Sequence, residues 1–223
     1  MAIHLHPTAD LAERVLLPGD PGRALMLAQE LLAEPKMFNH NRGLWGYTGA
    51  AADGEPLTIQ STGMGGPSAA IVFEELCEMG VKRAVRVGTC GALDGALELG
   101  DLVAAREALA ADGASRALGA GERIAAPGGL VEALEAPAGL IVSTDLFYDP
   151  EPAREEAWRE AGAVAVEMET AALYAVGARR GVEVAAVLAV SDVVGPPRQR
   201  LDEDALRAAG ERVGRAGAAA LLA

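Results

Sequence analysis

The stretch VAVEMETAA at residues 164–172 carries two acids, Glu167 and Glu169, within an apolar run. The segment just before the two acids, residues 163–166, is short and apolar, which is typical of a strand. The alanine-rich residues 171–178 favour a helix. The sequence therefore predicts a strand that ends here and passes directly into a helix.

The two acids of this stretch have two interpretations. On an extended backbone Glu167 and Glu169 point to the same side, whereas on a helix they diverge by about 200°. In one interpretation they simply lie at the helix N-terminus, where the macrodipole favours negative charge. In the other they line a polar pocket as acceptors for hydroxyl groups, because carboxylates are rarely buried without a partner.

The composition narrows the class of protein. The 223 residues, 51% of them hydrophobic, suffice for one α/β domain or two small ones with a sizeable core. The net charge of -13 repels nucleic acid and anionic membranes, so neither is expected as a partner. Cys77 and Cys90 offer neither a disulfide framework nor zinc-ligand spacing, and no metal site is expected. The chain has no signal-peptide pattern and no run of roughly 18 apolar residues, so we expect a soluble, cytoplasmic protein.

A glycine-rich turn, PGDPGR at residues 18–23, connects a short apolar strand to a predicted helix. Asp20 suits the N-cap and Pro21 suits the first helical position. Gly19 lets a ligand approach the backbone, and free N–H groups at a helix start attract anions. Arg23 lies in the first turn, where a cation opposes the helix dipole. It is either an ordinary surface residue or part of an anion site.

Two further glycine runs follow. GMGGPS at residues 63–68 precedes a helix that is predicted from Ser68 to Met79. GTCG at residues 88–91 follows an alternating strand and is interpreted as another turn. Arg86 then lies at the carboxyl end of its strand, where α/β sheets place ligands, and a guanidinium matches phosphate oxygens. Thr89 adds a hydroxyl donor, and a salt-bridged arginine is the alternative.

Asp192 is a candidate general acid. The nearly all-apolar residues 182–190 are typical of a strand covered on both faces, and they end in Ser191 and Asp192. An acid at the carboxyl end of a central strand is placed to donate a proton, although a capping role is the alternative.

Phe147 stands out because aromatic residues make up only 4% of the chain. Its face suits a flat base, and core packing is the alternative.

The remaining segments complete a single-domain interpretation. Arg42 is either a solvated loop charge or a ligand contact, and residues 108–127 look loop-rich. Helices are predicted at residues 152–160 and 202–222. No internal repeat or linker is present, so residues 1–223 are interpreted as one domain.

Six motifs, taken together and in order, carry a resemblance to a known family. They are LPGDPGR at 17–23, NRG at 41–43, GMGGPS at 63–68, VRVGTCG at 85–91, VEME at 166–169 and VSD at 190–192. The chain resembles, over nearly its whole length, the nucleoside phosphorylases of the hexameric bacterial purine type. The resemblance implies an α/β fold in which helices flank a central mixed, twisted β-sheet.

The same resemblance implies a phosphate site formed by Gly19, Arg23, Arg86 and Thr89, with Arg42 reaching in from a neighbouring subunit. Three arginines would then converge on one anion in an acidic protein.

For the nucleoside, the resemblance implies that Glu169 holds the ribose hydroxyls and that Met168 packs under the sugar. Glu167 would line the nucleoside pocket, Phe147 would contact the base, and His4 of the neighbour would touch the 5′ end. His4 is favoured over His6, although the N-terminal segment is one residue shorter than the family pattern.

Asp192, next to Ser191, would protonate the purine N7 as the glycosidic bond breaks. In the family a neighbouring arginine activates this acid, and Arg198, Arg200 and Arg207 are the candidates here. The sequence does not choose among them, nor between 6-amino and 6-oxo purines, since Asp192 serves either.

The expected function is phosphorolysis of purine (deoxy)ribonucleosides to a free purine base and (deoxy)ribose 1-phosphate in nucleoside salvage. Phosphate would be a co-substrate, and no cofactor is expected. The assembly would be a homo-oligomer, a hexamer built as a trimer of dimers with sites shared across subunits.

Three alternatives accompany this expectation. Thr89 and residues 65–67 are similar to uridine phosphorylases, but that branch reads uracil with a Gln on an insertion, and residues 144–166 contain no Gln. A phosphate-independent nucleosidase would not need the three arginines. A non-catalytic nucleoside-binding module would not need the acid at Asp192.

Overall fold

The computed structural model of the chain describes residues 2–93, 95–195 and 197–223. Over these residues the strands are β1 (Arg14–Leu17), β2 (Ala33–Asn39), β3 (Gly46–Ala50), β4 (Pro56–Gln60), β5 (Arg83–Ala92), β6 (Leu102–Ala111), β7 (Arg123–Ala125), β8 (Ala138–Thr144), β9 (Ala163–Glu167), β10 (Glu183–Val193) and β11 (Gln199–Arg200). The helices are α1 (Pro21–Leu31), α2 (Gly66–Glu78), α3 (Gly113–Ala117), α4 (Ala153–Glu160), α5 (Thr170–Arg180) and α6 (Glu203–Leu222). Asn41–Gly43 and Leu130–Ala133 form short 3-10 helices. None of the helices in these ranges is long and apolar enough to cross a membrane.

The strands join in one mixed sheet, in the order β11-β10-β6-β8-β9-β5-β1-β4-β3-β2, with β7 paired to β6. Its hub is β5, which runs parallel to β1 and β10 and antiparallel to β9. Because β10 pairs with both β5 and β6, the strands β10, β6, β8, β9 and β5 close into a ring. The predicted α/β fold with a central mixed sheet is therefore confirmed.

Helices cover both faces of this sheet. On one face α2 and α5 pack against the sheet through a cluster that includes Phe73 and Ala84. On the other face α1 and α6 contribute Leu27 and Val213 to a cluster that includes Val85. Successive residues of β5 thus enter opposite clusters, as expected of a strand that is covered on both faces.

The predicted turn at residues 88–91 is wrong, because β5 continues through it to Ala92. The glycines serve close approach instead. A Cβ on Gly88 would lie 2.7 Å from Nη2 of Arg86, and one on Gly91 would lie 3.0 Å from Oδ1 of Asp192. These positions lack a side chain so that site residues can lie against the strand.

The loop predicted for residues 108–127 is also wrong in part. This segment holds the end of β6, the short helix α3 and the strand β7. The apolar residues 108–111 extend a strand that pairs with β8, and Asp112 caps α3 by accepting from the backbone N–H of Ser115. The edge strand β2 has no counterpart in the sequence analysis, since its residues are mostly exposed and show no alternation.

Candidate active site

One cavity, of about 930 Å³, lies where the ends of β1, β4, β5, β9 and β10 meet. It is bordered by eleven of the twelve residues that the sequence analysis assigned to a site: Gly19, Arg23, Arg42, Arg86, Thr89, Phe147, Glu167, Met168, Glu169, Ser191 and Asp192. His4 is the exception. Residues far apart in the sequence thus converge on one space.

Two of the predicted glycine turns form one wall of the cavity. Since β1 and β4 are parallel neighbours, the turns that follow them lie side by side, and Gly63 donates its N–H to the carbonyl of Gly19 at 3.0 Å. Asp20 caps α1 by accepting from the backbone N–H of Arg23 at 2.6 Å. Burial lowers the pKa of Arg23, and the nearby Arg86 lowers it further, while Asp20 and Glu169 oppose that change. Two guanidiniums therefore lie within electrostatic reach of each other at this end of the cavity.

Arg86 is buried at the centre of a charged cluster. Its Nε donates to Glu167 at 2.9 Å, and its Nη2 pairs with Glu169 at 2.5 Å. Burial alone would lower the pKa of Arg86, but Glu169 and Glu167 outweigh it and raise the value. Nη1 of Arg86 is buried without a hydrogen-bond partner among the described residues. Because buried donors are normally satisfied, this atom is suited to an anion oxygen.

Glu167 is held by protein donors. Besides Arg86, its carboxylate accepts from the backbone N–H groups of Glu169 at 2.9 Å and Thr170 at 3.0 Å, and from the hydroxyl of Ser143. It therefore caps α5 and fixes Arg86 at the same time. Glu167 borders the cavity, but contact with a nucleoside stays a prediction, since its acceptor positions are largely used.

Glu169 differs from Glu167 in its surroundings. One oxygen pairs with Arg86 and the other accepts from the backbone N–H of Gly65 at 2.5 Å. Burial raises the pKa of Glu169; Arg86 opposes the rise and Glu167 adds to it. The two acids of this pair therefore differ in what they contact. Glu167 caps a helix, and Glu169 offers acceptors beside the cation.

Asp192 lies where β10 is interrupted by a bulge between Val190 and Asp192. The side chain is buried, with Oδ1 accepting from Arg198 Nε at 2.7 Å and Nη2 at 2.5 Å. Oδ2 accepts from the Ser191 hydroxyl at 3.0 Å. A bulge redirects side chains at the end of a strand, and here it presents an acid to the cavity.

Among the three candidate arginines, Arg198 is the one that meets Asp192. Arg200 is the backbone pairing partner of Asp192 on the neighbouring strand β11. Nε of Arg207 lies 3.5 Å from Oε1 of Glu211 on α6. The Arg198 guanidinium also lies 4.8 Å from the ring centroid of Phe147. Phe147 is 44% exposed, so the core-packing interpretation of this residue is wrong.

His4 and Arg42 lie on neighbouring segments. Nδ1 of His4 is 2.7 Å from Glu75 on α2, and Glu75 also accepts the backbone N–H groups of Ile3 and Leu5. Although burial would raise it, these hydrogen bonds lower the pKa of Glu75 to about 2. Arg42 has a positive φ of 59° in the 3-10 turn and borders the cavity of its own chain. Its supply by a neighbouring subunit stays a prediction.

Sequence reasoning missed Ser143, whose hydroxyl bridges Glu167 and the backbone N–H of Ala171. The only available signal was a polar residue at the end of an apolar strand. Sequence reasoning also assigned no role to the backbone N–H of Gly65, which donates a hydrogen bond to the carboxylate of Glu169.

Comparison with known proteins identifies the family of the chain and the proteins that it is similar to. Residues 13–223 match the family described as the Phosphorylase superfamily. A DeoD-type purine nucleoside phosphorylase of Caldanaerobacter subterraneus subsp. tengcongensis is 39% identical over 206 residues, which cover 86% of this chain and 88% of the relative. The corresponding protein of Geobacillus kaustophilus is 38% identical over 205 residues, with 86% of each chain covered. A crystal structure of uridine phosphorylase from Vibrio fischeri ES114 superposes with a TM-score of 0.86 at 27% identity, covering 100% of this chain and 98% of that one.

Proposed function

The chain belongs to the phosphorylase superfamily, and we propose that it is a purine nucleoside phosphorylase. The enzyme would transfer the pentose of a purine (deoxy)nucleoside to inorganic phosphate in nucleoside salvage. The observation that carries the proposal is the arrangement around Arg86. Its unpartnered Nη1 and the nearby Arg23 suit an anion, while the adjacent Glu169 suits sugar hydroxyls.

The phosphate end of the cavity supplies the nucleophile. Arg23 and Arg86 would bind the phosphate oxygens, with the N–H groups at the start of α1 and the hydroxyl of Thr89 completing the site. Glu167 accepts a hydrogen bond from Nε of Arg86 and so holds the guanidinium in position. Glu169 would accept the ribose hydroxyls and so set the anomeric carbon next to the phosphate.

Bond exchange follows from these positions. As the glycosidic C–N bond breaks, positive charge develops on the sugar, and the bound phosphate stabilises it. A phosphate oxygen then forms a C–O bond to the anomeric carbon, which gives the sugar 1-phosphate. The leaving purine takes a proton at N7 from Asp192. Nε and Nη2 of Arg198 lie 2.7 and 2.5 Å from Oδ1 of Asp192, so the guanidinium is placed to hydrogen-bond the carboxylate that proton transfer leaves behind.

The purine class is supported by two relatives at 39% and 38% identity, which are DeoD-type purine nucleoside phosphorylases. The acid at Asp192 and the absence of Gln from residues 144–166 support it as well. The fold is shared with uridine phosphorylases, so the fold alone does not separate the two classes.

We predict that purine nucleosides are split only when phosphate is supplied, and that ribose 1-phosphate is formed. The measurement is release of base with and without phosphate, together with detection of the sugar phosphate. Arg23→Gln should raise the KM for phosphate by roughly ten- to a hundredfold, because a charged hydrogen bond is worth about 1.5–3 kcal/mol. Arg106→Gln, which changes an exposed arginine of β6, is the matched control and should leave this KM unchanged. Equal turnover in phosphate-free buffer would identify a hydrolase instead.

We also propose a homo-oligomer, a hexamer in which neighbouring subunits share sites. Large apolar side chains are exposed next to the two residues that would be donated, Ile3 (74%) beside His4 and Trp45 (39%) near Arg42. Met64 (87%), which precedes α2, is exposed as well. Exposed apolar side chains grouped around functional residues are typical of an interaction surface.

Sharing of Arg42 is testable by complementation. We predict that Arg42→Gln and Asp192→Asn subunits, each nearly inactive alone, regain activity when they are co-expressed and purified as mixed oligomers. A site that takes Asp192 from one subunit and Arg42 from the other is then restored. If Arg42 serves the cavity of its own chain, no mixed site is intact and no activity returns. Mixed oligomers of Asp192→Asn with Asp192→Asn carrying a second tag provide the control, since no combination of these subunits restores the acid.

A further inference from the structure

We propose that two buried amides, Asn39 and Gln60, are positioning residues for the anion site, because they fix the turn that carries Arg42. The inference rests on the proposed function, in which Arg42 brings a third guanidinium to the phosphate. It goes further by naming the groups that determine where this guanidinium lies. It applies equally to the cavity of the same chain and to that of a neighbouring subunit, since the turn is held in the same way in both cases.

The position of the Arg42 guanidinium depends on the backbone of its turn. The side chain is exposed and forms no ion pair or hydrogen bond within residues 2–93, 95–195 and 197–223. The backbone of Arg42 has a φ of 59°, and Gly43 after it has a φ of 72°. This left-handed conformation is unfavourable for a residue with a side chain, and it persists only where surrounding contacts enforce it. The contacts that enforce the turn therefore also determine where its guanidinium lies.

Asn39 supplies such contacts from the end of β2. Its side chain is fully buried, and its Nδ2 donates to the carbonyl oxygen of Leu44 at 2.5 Å, just after the turn. Its Oδ1 accepts from the backbone N–H of Asn41 at 3.3 Å, at the start of the turn. The same oxygen accepts from the backbone N–H of His6 at 2.9 Å. One amide thus joins the two ends of the turn and ties them to the N-terminal segment.

Gln60, at the end of β4, donates to the same carbonyl. Its Nε2 lies 3.0 Å from the carbonyl oxygen of Leu44. Gln60 pairs with Gly46 on β3, and a Cβ on Gly46 would lie 2.0 Å from Oε1 of Gln60, so only glycine leaves room for this side chain. A carbonyl oxygen has two lone pairs, and here two buried amides use both. The end of the turn is thereby fixed to β2 and β4.

The two amides would act on phosphate only through Arg42. Neither Asn39 nor Gln60 is among the residues that line the cavity, whereas Arg42 is. Loss of either amide should therefore weaken phosphate binding without changing the step in which the glycosidic bond breaks. In kinetic terms, the KM for phosphate should rise while kcat at saturating phosphate stays the same.

The test compares three variants with the wild type, each checked by a thermal melt. Asn39→Ala should raise the KM for phosphate by about three- to tenfold, the size of effect of one lost neutral hydrogen bond. Gln60→Met should raise it by about two- to fivefold. This variant keeps the side-chain length and also removes Oε1, a buried acceptor without a partner among the described residues, so it should fold. Thr58→Val is the matched control, because it removes a buried hydroxyl of β4 that bonds Ala12 and Thr48 instead of the turn. Its KM for phosphate should equal that of the wild type.

A double-mutant cycle separates positioning of Arg42 from a general loosening of the fold. When Arg42→Gln is already present, either amide variant should lower kcat/KM for phosphate by less than about twofold more, because no guanidinium is left to position. A loss that adds in full to that of Arg42→Gln overturns the inference. An unchanged KM for phosphate in the folded Asn39→Ala or Gln60→Met protein overturns it as well. If Asn39→Ala does not fold, the cycle with Gln60→Met decides.

The proposed function fails separately, if the wild type cleaves no purine nucleoside in the presence of phosphate. Calorimetric titration with inorganic phosphate alone needs no turnover and still tests the inference. The Kd for phosphate should rise in Asn39→Ala and Gln60→Met by the same factors as the KM, and it should not change in Thr58→Val. A wild-type protein that binds no phosphate would contradict both proposals.

Discussion

Asp192→Asn is expected to lower kcat for purine nucleoside phosphorolysis by about 10²–10⁴-fold, the usual contribution of a general acid. Asparagine has nearly the same shape, and its oxygen still accepts from Arg198, whereas its NH₂ faces a Ser191 hydroxyl that is able to accept. The fold should therefore persist while the proton for N7 is lost. The measurement is steady-state turnover of inosine at saturating phosphate, together with a thermal melt.

Glu203→Gln provides a matched control, because it removes one carboxylate charge from the exposed first turn of α6, away from the cavity. Its kcat should equal that of the wild type. If Asp192→Asn instead keeps full turnover, the acid is not needed and the base leaves without its help. A non-catalytic binding module would show no turnover in either protein.

Arg86→Met is expected to destabilise the folded protein by about 3–5 kcal/mol, the cost of leaving a buried ion pair half-broken. The substitution removes the cation that bonds Glu167 and Glu169, and both carboxylates stay buried. It also removes Nη1, so phosphate-dependent turnover should be lost. The measurements are urea unfolding at one fixed protein concentration and the KM for phosphate.

The pH dependence identifies the cause of this destabilisation. Burial already raises the pKa of Glu169 above its unfolded value, and removing Arg86 removes the cation that opposes this rise. The folded state then binds more protons than the unfolded state, and its stability falls as the pH rises through that range. The deficit of Arg86→Met should thus be larger at pH 8 than at pH 5. A deficit that does not change with pH would indicate lost packing rather than unpaired charge.

Arg83→Met is the control on the same strand. Arg83 lies 3.5 Å from Glu183, and both side chains are about a third or more exposed. A partly exposed pair of this kind contributes about 0–1 kcal/mol. An Arg86→Met protein as stable as Arg83→Met would contradict the buried cluster described above.

Local chemistry was sufficient for some features of the site. Asp20 and Pro21 predicted the start of α1, and Asp20 does cap the N–H of Arg23. The stretch at residues 164–172 predicted a strand that passes into a helix, as β9 and α5 do. These predictions succeeded because capping and the alternation of apolar residues depend on neighbours in the chain.

Other features were decided by packing. The glycines at residues 88–91 are typical of a turn in sequence, but in the sheet they make room for Arg86 and Asp192. The choice of Arg198 over Arg200 and Arg207 followed from the bulge in β10 and the short strand after it. No local pattern separates three arginines in one loop and helix.

The order of residues specifies where backbone N–H groups, glycines and charged side chains occur along the chain, and so which chemistry is available. Which of these charges meet depends on the fold. Arg86 and Glu167 are 81 positions apart, and their contact depends on β5 pairing with β9 while β8 lies on the other side of β9. The physical reason is that hydrogen bonds and ion pairs act over a few ångströms in space. Strand register, set by the burial of both sheet faces, determines which distant residues come within that range.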